Sequence, residues 1–99
     1  MSESNKFTPG PWCFWSGYNS TDNIEAQIVA EDGDIVIASY NHLIIEGEAN
    51  AALMAMSPQL LLALEDAVSI FRGLSEDFPI LRQRVIAYDN LIEKARNFQ

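Results

Sequence analysis

Cations are scarce in this sequence. Six lysines and arginines stand against fourteen aspartates and glutamates, for a net charge of −8 and a pI near 4.3. A surface of that sign repels nucleic-acid backbones and anionic membranes at long range. The chain is therefore expected to bind neither directly, and much of the charge reads as ordinary solubilising surface. Cys13 is the only cysteine, which rules out an internal disulfide and fits cytoplasmic residence. His42 is the only histidine, and no flanking signature couples it to Cys13. Cysteine, histidine and carboxylates never fall at metal-ligand spacing, and no glycine-rich phosphate loop is present. No catalytic residue, no metal and no cofactor is expected. Apolar runs stay far below the ~20 residues of a membrane span. Met1-Ser2-Glu3-Ser4-Asn5-Lys6 lacks the basic-then-apolar layout of a signal peptide.

What is abundant is apolar surface. Of the 99 residues, 48% are hydrophobic, enough for one folded domain. The expected layout is a single domain over 1–99, with a flexible tail at 1–6, a sheet within 11–40 and helices within 48–97. A domain this small buries only roughly 60–65% of its unfolded surface, so self-association into a homodimer or higher homo-oligomer is expected.

Thr8-Pro9-Gly10-Pro11-Trp12 reads as a bent entry segment. A strand follows from Trp12 to Tyr18, with Trp12, Phe14 and Tyr18 on one face and Cys13 and Trp15 on the other. Asn19 to Asn23 has turn composition. Ile24, Ala26, Ile28 and Ala30 alternate with Glu25, Gln27 and Glu31, the period-two pattern of a half-buried strand. Asp32-Gly33 then predicts a two-residue hairpin turn. Ile35 to Ala38 is apolar on both faces, which is the pattern of a central strand.

Helix signals begin at Glu46-Gly47-Glu48. Ala49 to Met56 is apolar almost all round apart from Asn50, which is positioned to cap it. Ser57-Pro58 predicts a second start, with Ser57 as N-cap and Gly73 as the stop. Leu60, Leu61, Leu64, Val68 and Phe71 form its core stripe. Ser75-Glu76-Asp77 is read as the cap of a last helix near Pro79 to Asn97, facing inward through Leu81, Val85, Tyr88, Ile92 and Ala95. The fold class is α+β: a three-stranded antiparallel meander packed against two to three C-terminal helices, the last two an antiparallel hairpin.

Among candidate binding residues, Trp12 and Phe14 read as sheet packing, while Trp15 and Tyr18 remain open to stacking on a ligand. Arg84 falls between Tyr88 and Leu91 on an apolar arc. It either snorkels, pairs with a buried carboxylate or meets an anionic ligand. Arg82, Asp89, Glu93 and Arg96 read as a solvated mixed-charge face. The fourteen acidic residues are scattered along the chain, too dispersed for DNA mimicry.

Two stretches carry a family likeness: Thr8-Pro9-Gly10-Pro11-Trp12, and Ala49-Asn50-Ala51-Ala52-Leu53-Met54-Ala55-Met56-Ser57-Pro58-Gln59-Leu60-Leu61-Leu62-Ala63-Leu64. In that order they resemble a widespread group of small phage and prophage accessory proteins. Phe7 stands where that group usually has histidine, and Met56-Ser57 replaces two small residues. The resemblance implies a phage protein in the host bacterial cytoplasm, non-enzymatic and acting in counter-defence. One version sequesters a nucleotide-derived immune signal, with Trp15, Tyr18, Tyr40, Arg84, Tyr88 and Asn50 as the candidate ligand-binding set. The alternatives are an inhibitor of a host protein and a structural or regulatory accessory.

Overall fold

The computed structural model describes residues 6–19, 24–31, 33, 35–41 and 43–97, with the side chains of 16–19 and 24–25 left aside. The expectations for the tail through Asn5, the turn at 20–23, the side chain of Tyr18, and Asp32 and His42 fall outside the described residues. Strands β1 (Trp12–Asn19), β2 (Ile24–Ala30) and β3 (Val36–Ser39) precede helices α1 (Gly47–Ala55), α2 (Ser57–Leu74) and α3 (Ile80–Asn97). The sheet is antiparallel in the order β1-β2-β3, so the expected α+β meander is the one observed. The strand expected at the centre, β3, is instead an edge. Ile35 and Val36 are exposed, whereas β2 lies in the middle and buries Ala26, Ile28, Val29 and Ala30. Two compact units are distinguishable, Thr8–Gln59 and Leu60–Gln99, the latter with the residues up to Phe7.

The first unit is built on a close helix-to-sheet contact. Gly47, Ala51 and Ala55 recur every four residues, so they form one line along α1. All three are buried, and Ala51 is 0% exposed. Ala51 and Ala55 pack against Ile28 of β2, with Trp12, Ile37, Ala38 and Tyr40 closing around them. Small side chains on that line let the helix backbone approach the sheet at interior packing density. The large ones fall on the other side, where Leu53, Met54 and Met56 stay exposed.

The entry segment is fastened to the same core. The Trp12 indole N–H donates to the Thr8 carbonyl at 3.0 Å, and the Gly10–Pro11 peptide is cis. Gly10 lies so near the Pro58 ring that an added Cβ would stand 2.7 Å from Pro58 Cβ. The two stretches that carry the family likeness thus touch.

Local details depart from expectation in informative ways. Gly33 has the positive φ expected of it, 81°. The hairpin loop is nevertheless longer, because Ala30 N–H donates to Ile35 at 2.9 Å and leaves residues 31–34 between them. Gly33 N–H closes a turn onto the Ala30 carbonyl within it. Helix α1 begins at Gly47, so Asn50 sits in its first turn and donates its backbone N–H to Glu46 rather than capping. Ser57 is already inside α2, and its hydroxyl donates back to Leu53. Only Met56 separates α1 from α2.

In the second unit α2 and α3 form the expected antiparallel hairpin. Glu65 meets Arg96, and Arg72 meets Asp89, so partners descend along α3 as they ascend along α2. Val68 and Val85 are buried between flanking Leu61, Leu64, Phe71, Leu81 and Ile92. Leu60, expected on the core stripe, is half exposed. Helix α2 runs through Gly73 to Leu74. Ser75 closes the end of α2 through its hydroxyl on the Arg72 carbonyl instead of capping α3, whose first bonds go to Phe78 and Pro79. No single helix among the described residues is long and apolar enough to cross a membrane; α1 and α2 reach that length only together, across a bend.

The two glycines separate close approach from open space. Gly10→Ala should lower stability by about 1–3 kcal/mol, because Pro58 cannot retreat without moving α2. Gly73 has nothing within 4 Å of an added Cβ, so Gly73→Ala should raise stability by about 0.5–1 kcal/mol. Urea unfolding of both variants beside the parent checks the pair.

Candidate functional site

In the sheet unit, Tyr40 and Trp15 come together through the backbone. The Tyr40 hydroxyl donates to the Trp15 carbonyl at 3.1 Å, and its ring stands edge-on to Phe14 with centroids 6.3 Å apart. Tyr40 is thus part of the sheet's packing, as Phe14 was expected to be, while the Trp15 ring stays more than a third exposed. Asn50 is exposed on α1. Arg84 and Tyr88 belong to the other unit, so the expected ligand-binding set divides between the two.

Arg84 is exposed, as is Leu91 beside it. The inward line of α3 runs through Leu81, Val85, Tyr88, Ile92 and Arg96, which leaves Arg84 off the core side and Ala95 exposed. Tyr88 packs its ring against Phe71 at 6.3 Å and a 41° tilt.

The partly buried arginine is Arg96, which had been read as part of a solvated face. Its guanidinium donates from Nε and Nη2 to the two Glu65 oxygens at 2.5 and 2.9 Å, and it lies over the Phe7 ring, 5.7 Å from the centroid. The Arg96 side chain is only 19% exposed and that of Glu65 28%. Arg72 donates similarly to both oxygens of Asp89, in the open. Helical-wheel reading sorted Arg96 and Asp89 by their own helix, and the clue it lacked was the facing register that supplies Glu65 and Arg72. An open cleft of about 360 Å³ lies between these pairs, lined by Glu65, Val68, Ser69, Arg72, Asp89 and Ile92. Its arginine is already paired with a carboxylate, which makes the cleft a poor receptor for phosphate. Among the described residues no three histidine, cysteine or carboxylate groups converge as a metal site.

Two features escaped the sequence reading. The first is Leu43-Ile44-Ile45, three consecutive apolar residues between β3 and α1. Leu43 is 78% and Ile45 96% exposed. The second is the placement of charge. The acidic residues are scattered as expected, but the cations are not: between Thr8 and Gln59 there are seven carboxylates and no lysine or arginine. All six cations belong to the other unit. Counting cations by segment, rather than acids over the whole chain, reveals this from sequence alone.

A family model for Salmonella phage P22 protein Y8K6 matches residues 1–98. The chain belongs to that family. It is thus a small phage protein, as its two conserved-looking stretches suggested. No match was found among the curated proteins or the solved structures.

The ion pair across the family member's helical hairpin makes a pH-dependent prediction. Hydrogen bonds from Arg96 hold the Glu65 carboxyl below its ordinary range, against a smaller opposite push from burial, and the same pair raises Arg96. A carboxyl lowered on folding stabilises the fold above the ordinary carboxylate range. That contribution is lost as pH falls through this range and on through the lowered value. Thermal melts of Glu65→Gln and the parent should therefore differ at pH 7 and converge towards pH 3. At neutral pH, Arg96→Ala should cost about 1.5–3 kcal/mol, whereas Arg84→Ala should stay within about 0.5 kcal/mol.

Proposed function

We propose that this phage protein is a non-enzymatic binder acting in the bacterial cytoplasm as a counter-defence factor, by covering a surface of a host protein. One observation carries this reading. Among the described residues, large apolar side chains left exposed outnumber those fully buried. Monomers seldom leave so many large apolar side chains uncovered unless something docks on some of them.

Sequestration of a nucleotide signal by a homo-oligomer is the second reading, and the partly exposed Trp15 supports it. It ranks lower because two of the arginines that a phosphate would need, Arg72 and Arg96, are already held by carboxylates. The readings separate in one experiment. The purified chain is incubated with cyclic dinucleotides and, in parallel, used as tagged bait in bacterial lysate. The host-protein reading expects the nucleotides to stay free and unchanged while one host protein is retained in stoichiometric amount. Nucleotide recovered intact from denatured chain would favour the sponge, and nucleotide consumed would establish an enzyme.

A further inference from the structure

The helical hairpin has one face held by charge and another, apolar, left exposed. We infer that the apolar face pairs with the same face of a second copy, forming an antiparallel four-helix bundle. The inference goes beyond the host-protein reading and concerns the helical unit alone.

Beside the line that faces α3, α2 carries a second one at spacings of three and four residues, made of Leu60, Ala63, Ala67, Ile70 and Leu74. Helix α3 does the same with Ile80, Arg84, Ala87 and Leu91. One seam suffices for a two-helix contact, and a second on each helix is what a bundle of four requires. Both second seams flank the hairpin contact on the side away from the Glu65–Arg96 and Arg72–Asp89 pairs, so they share one face. Ile70 is 56% and Leu91 58% exposed there. From Leu60 to Asn97 only Val68 and Val85 are buried. The alanines between the large residues leave holes that side chains of an identical face can enter. Each helix has 18 residues, so each is about 27 Å long and the pair is roughly 20 Å wide. Two such faces bury on the order of 1,000 Å² together, enough for a specific contact.

Charge selects a second copy as the occupant and fixes its orientation. Asp66 borders the open face on α2, while Arg84 and Lys94 lie on or beside it on α3. Glu76 and Asp77 follow the end of α2. All five are exposed, and none forms an ion pair with another described residue. The pairs across the hairpin set the register of its helices, with Asp66 level with Ala95 and Arg84 level with Asp77. A two-fold axis along the helices keeps those heights and lays each α2 on the α3 of the other copy. Lys94 then borders the partner's Asp66, and Arg84 meets the partner's Glu76 and Asp77 at the carboxyl end of its α2. An axis across the helices would instead set α3 on α3 and bring cations towards one another. Arg84, anomalous among the apolar residues of its own helix, gains a counter-ion in the first arrangement.

Sedimentation equilibrium of the full-length chain tests this. At about 50 μM the parent should run at twice its chain mass of 11.1 kDa. Ile70→Gln/Leu91→Gln changes exposed sites to a residue that favours helix. It should keep the parent's circular dichroism and dissociate about tenfold or more readily. Arg84→Glu and the double reversal Glu76→Lys/Asp77→Lys should each weaken the dimer about fivefold. Mixed in equal amounts they should restore it, because every reversed charge then faces its opposite on the other copy. A parent dimer that the Ile70/Leu91 variant leaves intact overturns the inference. Failure of the mixture to restore association overturns it as well, since the charges then do not meet as described. A monomeric parent also overturns it, and a host protein that the parent retains and the Ile70/Leu91 variant releases is then the occupant.

Discussion

The sheet unit depends on how closely α1 can approach β2. Gly47, Ala51 and Ala55 remove side-chain bulk from one line of the helix, and Ile28 fills the space from the sheet. Trp12 closes one side of this contact, with its indole N–H satisfied by the Thr8 carbonyl. Gly10 brings the entry segment against Pro58, at the start of α2. Gly10, Trp12, Ala51, Ala55 and Pro58 are accordingly packing residues. They hold entry segment, sheet and helix together.

The fold was legible where burial follows a simple period. Ala26, Ile28 and Ala30 are buried at the expected period of two, with Val29 between them buried as well, and Val85, Tyr88 and Ile92 keep helical spacing. Errors arose where a residue's setting depends on a neighbouring element. Apolar residues on both faces of the third strand suggested a centre, but strand order made it an edge. Ser57 and Ser75 have the composition of N-caps, yet both donate their hydroxyls to carbonyls of the preceding helix. The arginines show the same limit most sharply. Arg84 looked anomalous on its own helix and is exposed, while Arg96 looked ordinary and is the one drawn into a partly buried pair with Glu65. Arg96 continues the inward line of Val85 and Ile92, where the Glu65 carboxylate across the hairpin receives it.

Charge divides the chain as the compact units do. The helical unit carries all six cations and pairs two of its carboxylates with arginines in bidentate fashion. The sheet unit has no cation with which to do so. Glu31 and Glu46 of that unit are exposed, and the field of an exposed charge acts over roughly a Debye length, about 8–10 Å at physiological salt. Net charge alone conceals this arrangement, because it averages a nearly balanced unit with a one-sided one.

An open sheet edge bearing isoleucine and valine normally invites other chains to stack on it, and β3 is such an edge. Its four residues, Val36–Ser39, are fewer than the six or so that interlock as a dry fibril spine. The opposite edge, β1, is longer but loses register between Ser16 and Asn19, which bends its row of backbone donors and acceptors out of line. Neither margin offers a long flat template. The exposed aliphatic side chains therefore sit on a sheet whose edges are ill suited to amyloid-like stacking.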